Sequence, residues 1–460
     1  MKQKEYWKNT TDFKTINTEY RRIVSSIPHP GSIPLFEELS DIEPCSMAGF
    51  IPVEWDRAEG FQVWDKYGNQ WIDFSSAVVL TNAGHSNPRI GKAIIEQLDK
   101  KVWHNYCNPS EIRLRTVKAI DAITPPYLNK VFLLTTGSEA VECAIKLIRM
   151  HGRAIDPDKI NIISYFNSFH GRTMASQCAG GFPDQQEWMG FVPGGFYHMP
   201  FPECARCPWG KDEYSNCGRE CFEKSIEQLS GKADGKNVAG VITETFQGPT
   251  VAFMPDDYAA ALREWTNANN ALLVFDEIQA GFGRTGKWFG FEHYGVEADL
   301  IALGKGMTSC LPMSAVAGRG HIMDIPQHGE MSSTHTGNPL CCASAIANIN
   351  AIKEDGLIEN AIRLGEVAAV CFKDLKRKFP DRIGTINGKG LVWAVYVLKP
   401  GTKELDVELA SAITTKCMEA GLLMLQTNRG TLKIAPPLCI NEDAFAEGIN
   451  LIAETLSELV

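Results

Sequence analysis

The chain has 460 residues, 44% hydrophobic and 22% charged, enough apolar material for one large core and a smaller second one. Its formal net charge of −10, with no cluster of Lys and Arg, argues against a nucleic-acid partner. The start, "MKQKEYWKNTTDFKTINTEYRR", lacks the apolar run of a secretory signal, and no later run is long enough to span a bilayer, so a cytoplasmic protein with no membrane contact is expected.

Residues 1 to about 55 are Pro-rich and irregular, and "FQVWDKYGNQWIDFSS" predicts two short strands about a Tyr-Gly-Asn turn. Residues 1–75 therefore read as an N-terminal arm and hairpin that pack with the C-terminal part. From about 110 to 330, helical patterns alternate with short apolar runs: "KVFLLTT", "NIISYF", "VAGVITETF", "ALLVFDEI", "LIALGKG" and "SAVAG". Runs this short predict a mostly parallel sheet covered on both faces, so the class is α/β and residues 76–337 form the large domain. After residue 338 come two long helices, a strand pair near "GKGLVWAVYVL" and two more helices, a smaller α+β domain over 338–460.

Most of the fourteen cysteines sit singly in apolar segments such as "VECAIKLI", which suits reduced, buried thiols. The exception is "PECARCPWGKDEYSNCGRECFE", which spaces Cys204, Cys207, Cys217 and Cys221 as C-x2-C-x9-C-x3-C. Two close pairs suit a tetrahedral zinc site or an iron–sulfur cluster, and equally a surface insertion of reduced thiols; no metal ligand is assigned on this basis.

"LLVFDEIQAGFGRTGKW" contains G-x-G-x-x-G at Gly281, Gly283 and Gly286. A dinucleotide fingerprint needs its first glycine directly after a strand and its last at the start of a helix. Here four residues separate Asp276 from Gly281, and aromatics and another glycine follow Gly286, so that reading fails. A P-loop fails too, because Trp288 stands where the magnesium-binding Ser or Thr is required. What remains is Asp276 at the C-terminal end of a buried strand, where open α/β sheets place their ligands.

Three other stations join it. Lys305, between Gly304 and Gly306 after an apolar run, is a lysine whose amine desolvation would make nucleophilic. Gly137 and Ser138 open a helix after a strand, which makes either an anion site or an ordinary capped helix with Ser138 as the N-cap. Phe169, His170, Gly171 and Arg172 end another strand with a flat ring, a flexible residue and a cation. A Schiff-base lysine, a carboxylate for a pyridinium nitrogen, a phosphate cup and a stacking ring together are what pyridoxal 5'-phosphate requires.

The motifs "TTGSEAVECAIKLIR", "FHGRT", "VFDEIQAGFGRTGKWFGFEHYGVEADLIALGKG" and "STHTGNP" resemble the class-III aminotransferases, fold-type I pyridoxal-phosphate enzymes that include 4-aminobutyrate, ornithine and acetylornithine transaminases. The resemblance implies that Lys305 carries the cofactor and shuttles the proton, while Asp276 keeps its ring nitrogen protonated. It implies further that Gln279 bonds the ring hydroxyl, Ile278 and Phe169 cover the two ring faces with His170 alongside, and Gly137 and Ser138 hold the phosphate. Thr334 matches a threonine that reaches the neighbouring subunit's phosphate, which implies a homodimer with shared sites, or a tetramer built from it.

Arg172 matches the arginine that grips a substrate carboxylate, and Glu244 the glutamate that pairs with a second cation. At this point the chain departs from the family pattern: "EPVQGEGG" is "ETFQGPTV", and Lys433 stands where the second arginine is usual, a point charge instead of a planar fork. The implied activity is ping-pong transfer of an amino group from an ω-amino acid such as 4-aminobutyrate to a 2-oxo acid such as 2-oxoglutarate. An amino-acid racemase or epimerase, or a taurine-type aminosulfonate transaminase, would use the same scaffold.

Overall fold

A computed structural model describes residues 13–47, 51–191, 193–211, 217 and 219–460. The first twelve residues of the expected arm lie outside the described residues.

Seven strands form the central sheet: β1 (Lys130–Leu134), β2 (Asn161–Tyr165), β3 (Phe196–Met199), β4 (Val238–Glu244), β5 (Leu272–Asp276), β6 (Leu300–Leu303) and β7 (Ser314–Gly318). Their order is β1-β7-β6-β5-β4-β2-β3. The pairs β6-β5, β5-β4, β4-β2 and β2-β3 are parallel, and β7 runs antiparallel to both its neighbours. Every residue of β2, β4, β5, β6 and β7 is buried, as expected of strands that read as continuous apolar runs.

The sheet buries both faces, and β5 shows how. Leu272 and Val274 pack with Leu300 and Ala302 beneath helix α1 (Gly137–Ile155), which contributes Val141, Ala144 and Ile148. Leu273 and Phe275 point the other way, into the main core with Ile301 and Leu303. That core also receives Phe222 of α2 (Glu220–Leu229) against Tyr258 of α3 (Asp256–Ala268), ring centroids 5.3 Å apart.

The C-terminal part contains α4 (Pro339–Glu354), α5 (Leu357–Lys378), α6 (Val407–Glu419) and α7 (Glu442–Leu459). With them is an antiparallel sheet of β8 (Ile383–Lys389), β9 (Val392–Val397), β10 (Leu425–Gln426) and β11 (Thr431–Ile434), ordered β8-β9-β11-β10. The expected N-terminal hairpin is present as antiparallel strands Gln62–Trp64 and Gln70–Asp73. A C-terminal strand, Leu422–Leu423, pairs in parallel with Gln70–Asp73, so the two ends of the chain share one sheet.

The glycine-rich stretch after β5 forms turns, with Gly283 and Gly286 at φ +88° and +86°, conformations L side chains rarely adopt. At its centre Arg284 is fully buried. Its guanidinium donates to the Asn82 side-chain oxygen at 2.7 Å, to the Ser76 hydroxyl at 3.3 Å, to the Leu391 carbonyl at 3.0 Å and to the Pro436 carbonyl. No helix among the described residues is long and apolar enough to cross a membrane.

Candidate active site

The C-terminal ends of the parallel strands open on a cavity of about 250 Å³. Strand register brings its residues together: Asp276 on β5 lies directly beside Glu244 on β4 and Ala302 on β6, and Lys305 follows β6 in a single 3-10 turn. Asp276, Lys305, Glu244, Phe169, His170, Ile278, Gln279, Gly137 and Ser138 all line the cavity. They come from five separate stretches of chain, and every stretch lies at or just after the end of a strand. This is the crevice position that an open α/β sheet offers a ligand.

The Asp276 carboxylate is held at both oxygens, one 2.8 Å from His170 Nδ1 and the other accepting the Ile278 N–H at 3.0 Å. Burial opposes a charge on His170, but the hydrogen bond and negative charge of Asp276 outweigh it and raise the imidazole pKa. Burial lowers the pKa of the Lys305 amine, an effect that Asp276 and Glu244 partly offset. Lys305 also sits at φ +42°, a strained backbone conformation of the kind that concentrates at functional sites.

Helix α1 brings its N-terminus to the same space. Thr136 is its N-cap: the hydroxyl accepts the Glu139 N–H at 3.3 Å, and Glu139 returns a bond in a capping box. The cap is therefore Thr136 and not Ser138, whose hydroxyl instead accepts the Arg172 N–H at 3.3 Å. The Ala140 N–H is bonded to the Thr136 carbonyl, so the remaining first-turn donors are Gly137 and Ser138, a site for an anion.

At two of these places a side chain would be crowded, mildly at Gly137 and severely at Gly171. A Cβ on Gly137 would stand 3.0 Å from Ile278 Cδ1, and one on Gly171, at φ +135°, would stand 2.4 Å from the Ser138 hydroxyl oxygen.

The remaining polar groups form a second set. Glu244 accepts the Phe169 N–H at 3.1 Å and the Gly248 N–H at 3.2 Å. Burial pushes its pKa up to about 7, against the pull of His170. Lys433, on β11, donates to Gln279 Oε1 at 2.7 Å and to the Gly248 carbonyl at 2.5 Å. Because an ammonium only donates, this bond fixes the Gln279 amide with its oxygen toward Lys433. Burial pushes Lys433 down to about 7 although Glu244 favours its charge.

Arg172 and Thr334 stand apart from the cavity lining. Arg172 is exposed, with its guanidinium 5.4 Å from the centre of the Phe169 ring, and Thr334 is exposed on a turn. Sequence reasoning missed Thr136, Phe246 and Ala280, which also line the cavity, and the bond that joins His170 to Asp276.

The model of the class-III aminotransferases matches residues 46–456. The chain belongs to that family. A 4-aminobutyrate aminotransferase of Mycobacterium leprae is 31% identical over 445 residues, covering 95% of this chain and 98% of its own. A leucine/methionine racemase of Thermococcus litoralis is also 31% identical, over 430 residues that cover 92% of this chain and 95% of the racemase. Among solved structures, a transaminase of the marine bacterium Virgibacillus superposes with a TM-score of 0.84 at 27% identity, covering 93% of this chain and 99% of that one.

This class-III aminotransferase has the fold-type I architecture, and enzymes of the family use pyridoxal 5'-phosphate. The residues present suit that group: a paired carboxylate and a lysine amine line a cavity that also meets a helix N-terminus. The buried His170 Nε2 has no hydrogen-bond partner among the described residues, so the cavity wall retains an unsatisfied polar atom.

Proposed function

We infer that this enzyme is a transaminase acting on an amino acid whose amine lies away from its carboxylate, such as 4-aminobutyrate, with a 2-oxo acid such as 2-oxoglutarate as acceptor. The observation that carries the reading is that two cations each touch a lining residue of the cavity without lining it themselves: Arg172 over Phe169 and Lys433 behind Gln279. Two anion-binding positions suit a reaction whose partners differ by one carboxylate.

When bound, pyridoxal phosphate supplies the electron sink beside the substrate's reacting carbon. Asp276, clamped by His170 and the Ile278 N–H, offers a fixed negative charge for a protonated ring nitrogen. Gly137 and Ser138 offer N–H groups to the phosphate, and Ile278 and Phe169 are the apolar walls for the two ring faces. With Gln279 Oε1 taken by Lys433, its amide NH₂ is left for the ring oxygen. Lys305, with a pKa lowered by desolvation, takes and returns the proton at the reacting carbon.

Glu244 and Lys433 form the second substrate position. A dicarboxylate meets Lys433, and in its absence Glu244 balances the lysine. This supports dual recognition with a point charge in place of a fork. Thr334, exposed on its turn within one chain, supports a homodimer in which it completes the neighbour's site. The chain organisation in this reading is the arm and hairpin over 1–75, the cofactor domain over 76–337 and the C-terminal domain over 338–460. Its fourteen cysteines are all reduced thiols, which supports a cytoplasmic setting.

The racemase relative gives a second reading, removal and return of a proton at Cα without an acceptor. Purified enzyme incubated with single amino acids, with and without 2-oxoglutarate, separates the two. Product formation that requires the oxo acid is expected; loss of optical rotation in its absence would replace the transaminase reading with the racemase one.

A further inference from the structure

The central sheet and its cavity make no use of the four cysteines after β3. Cys204 begins a single 3-10 turn (Cys204–Arg206) and Cys207 follows it directly. The second pair stands at the start of α2, with the Glu220 N–H bonded to the Cys217 carbonyl at 3.1 Å and Cys221 in the first turn of the helix. Although nine residues separate the pairs, all four cysteines line one cavity of about 20 Å³. That is about the room of a single water or ion.

Chemistry and surroundings point the same way. The four thiols share one small void, where a dication can replace their protons. Lys211, paired with Glu220 at 2.9 Å, lines the same cavity, and the N-terminus of α2 meets it. Among the described residues no three His, Cys, Asp or Glu side chains are already arranged as a ligand set. The thiols ring the void, and a bound ion is what would draw them together.

We propose that Cys204, Cys207, Cys217 and Cys221 form a structural tetrathiolate site for one Zn²⁺, built from a turn pair and a helix-start pair. Four thiols bind the ion as thiolates and release their four protons to solvent; no electron transfer is involved. With all four positions filled by sulfur, the ion has no open position for substrate.

The site also has a task. Glu203, immediately before the first ligand, accepts a hydrogen bond from the Tyr396 hydroxyl on β9. Glu203 and Arg206 line a cleft together with Gln247 and Arg429, so the metal would brace a strut from the cofactor domain to the C-terminal sheet.

The test is metal analysis of the full-length holoenzyme, purified with reductant, without chelator and without oxygen. About one zinc per chain is expected. Cys204→Ser and Cys221→Ser should each lose most of it, while Cys107→Ser, an exposed cysteine outside the cluster, should keep it. Removing zinc from the wild type with a strong chelator should lower its melting temperature by several degrees and leave the cofactor's absorbance band in place. Wild-type protein without stoichiometric metal would overturn the proposal, as would iron with acid-labile sulfide in place of zinc, or undiminished zinc in both serine variants. The wild-type measurement decides the matter even where a serine variant fails to fold.

Discussion

The floor and the rim of the cavity are built by different rules. Asp276 and His170 are buried and Lys305 is half-buried, each sits at or shortly after a strand end, and two of them are hydrogen-bonded to each other. Arg172 and Thr334 are exposed, and Lys433 comes from the other sheet. The register of the central sheet therefore fixes the groups suited to chemistry. The groups that choose a substrate in the proposed reading stand outside that register, Lys433 on the other sheet among them.

The comparison is tested most strongly at the floor. Lys305→Ala should slow single-turnover transamination on the order of 10⁴-fold, because in the proposed reading its amine both anchors the cofactor and moves the proton. Asp276→Asn should cost on the order of 10²–10³-fold in kcat, the size expected for losing one preorganised charge. At the rim, Arg172→Ala should raise the KM of the amino donor by about tenfold to a hundredfold with kcat nearly unchanged, since a charged hydrogen bond contributes about 1.5–3 kcal/mol. A kcat loss as large as that of the Asp276 variant would remove the distinction between floor and rim.

Gly171→Ala belongs to the scaffold between them. Its Cβ would meet the hydroxyls of Ser138 and Ser176 at 2.4 and 2.5 Å from a left-handed backbone, so a stability loss of about 1–3 kcal/mol is expected in denaturant titration. The smallest effect is the pH dependence of the acceptor. Lys433 is pushed down to about 7, so its charge is complete below that pH and is lost as pH rises through it. The KM for 2-oxoglutarate should therefore climb above pH 7, by about tenfold per unit at most. Lys433→Arg should flatten the profile, since a guanidinium keeps its charge.

Much of this architecture is legible in the sequence because buried parallel strands leave a local mark. Six of the seven strands of the central sheet read as apolar runs bounded by turns. β3 does not, since it is a four-residue edge strand in which Tyr197 and His198 break the apolar pattern. The strands β10 and β11 are also silent, being short and mixed, "LQ" and "TLKI". Cavity-lining residues within one motif are legible, whereas contacts between motifs are not. His170 and Asp276 lie 106 positions apart, and nothing local to either predicts their bond. The hint available was that both follow strand ends in one sheet. In the same way, Lys433 shows in sequence as a departure from pattern, but its hold on Gln279 depends on how the C-terminal sheet meets β5.

The glycine-rich loop carries a practical consequence through Arg284. Its guanidinium joins Ser76 and Asn82 to backbone carbonyls of the C-terminal half, yet it is not among the residues that line the cavity. A random-mutagenesis screen scored on turnover would recover inactive Arg284 substitutions beside those of Lys305 and Asp276, and the conspicuous motif around it would invite a catalytic label. Only a folding assay run in parallel would show that such clones had lost the rivet and kept the chemistry.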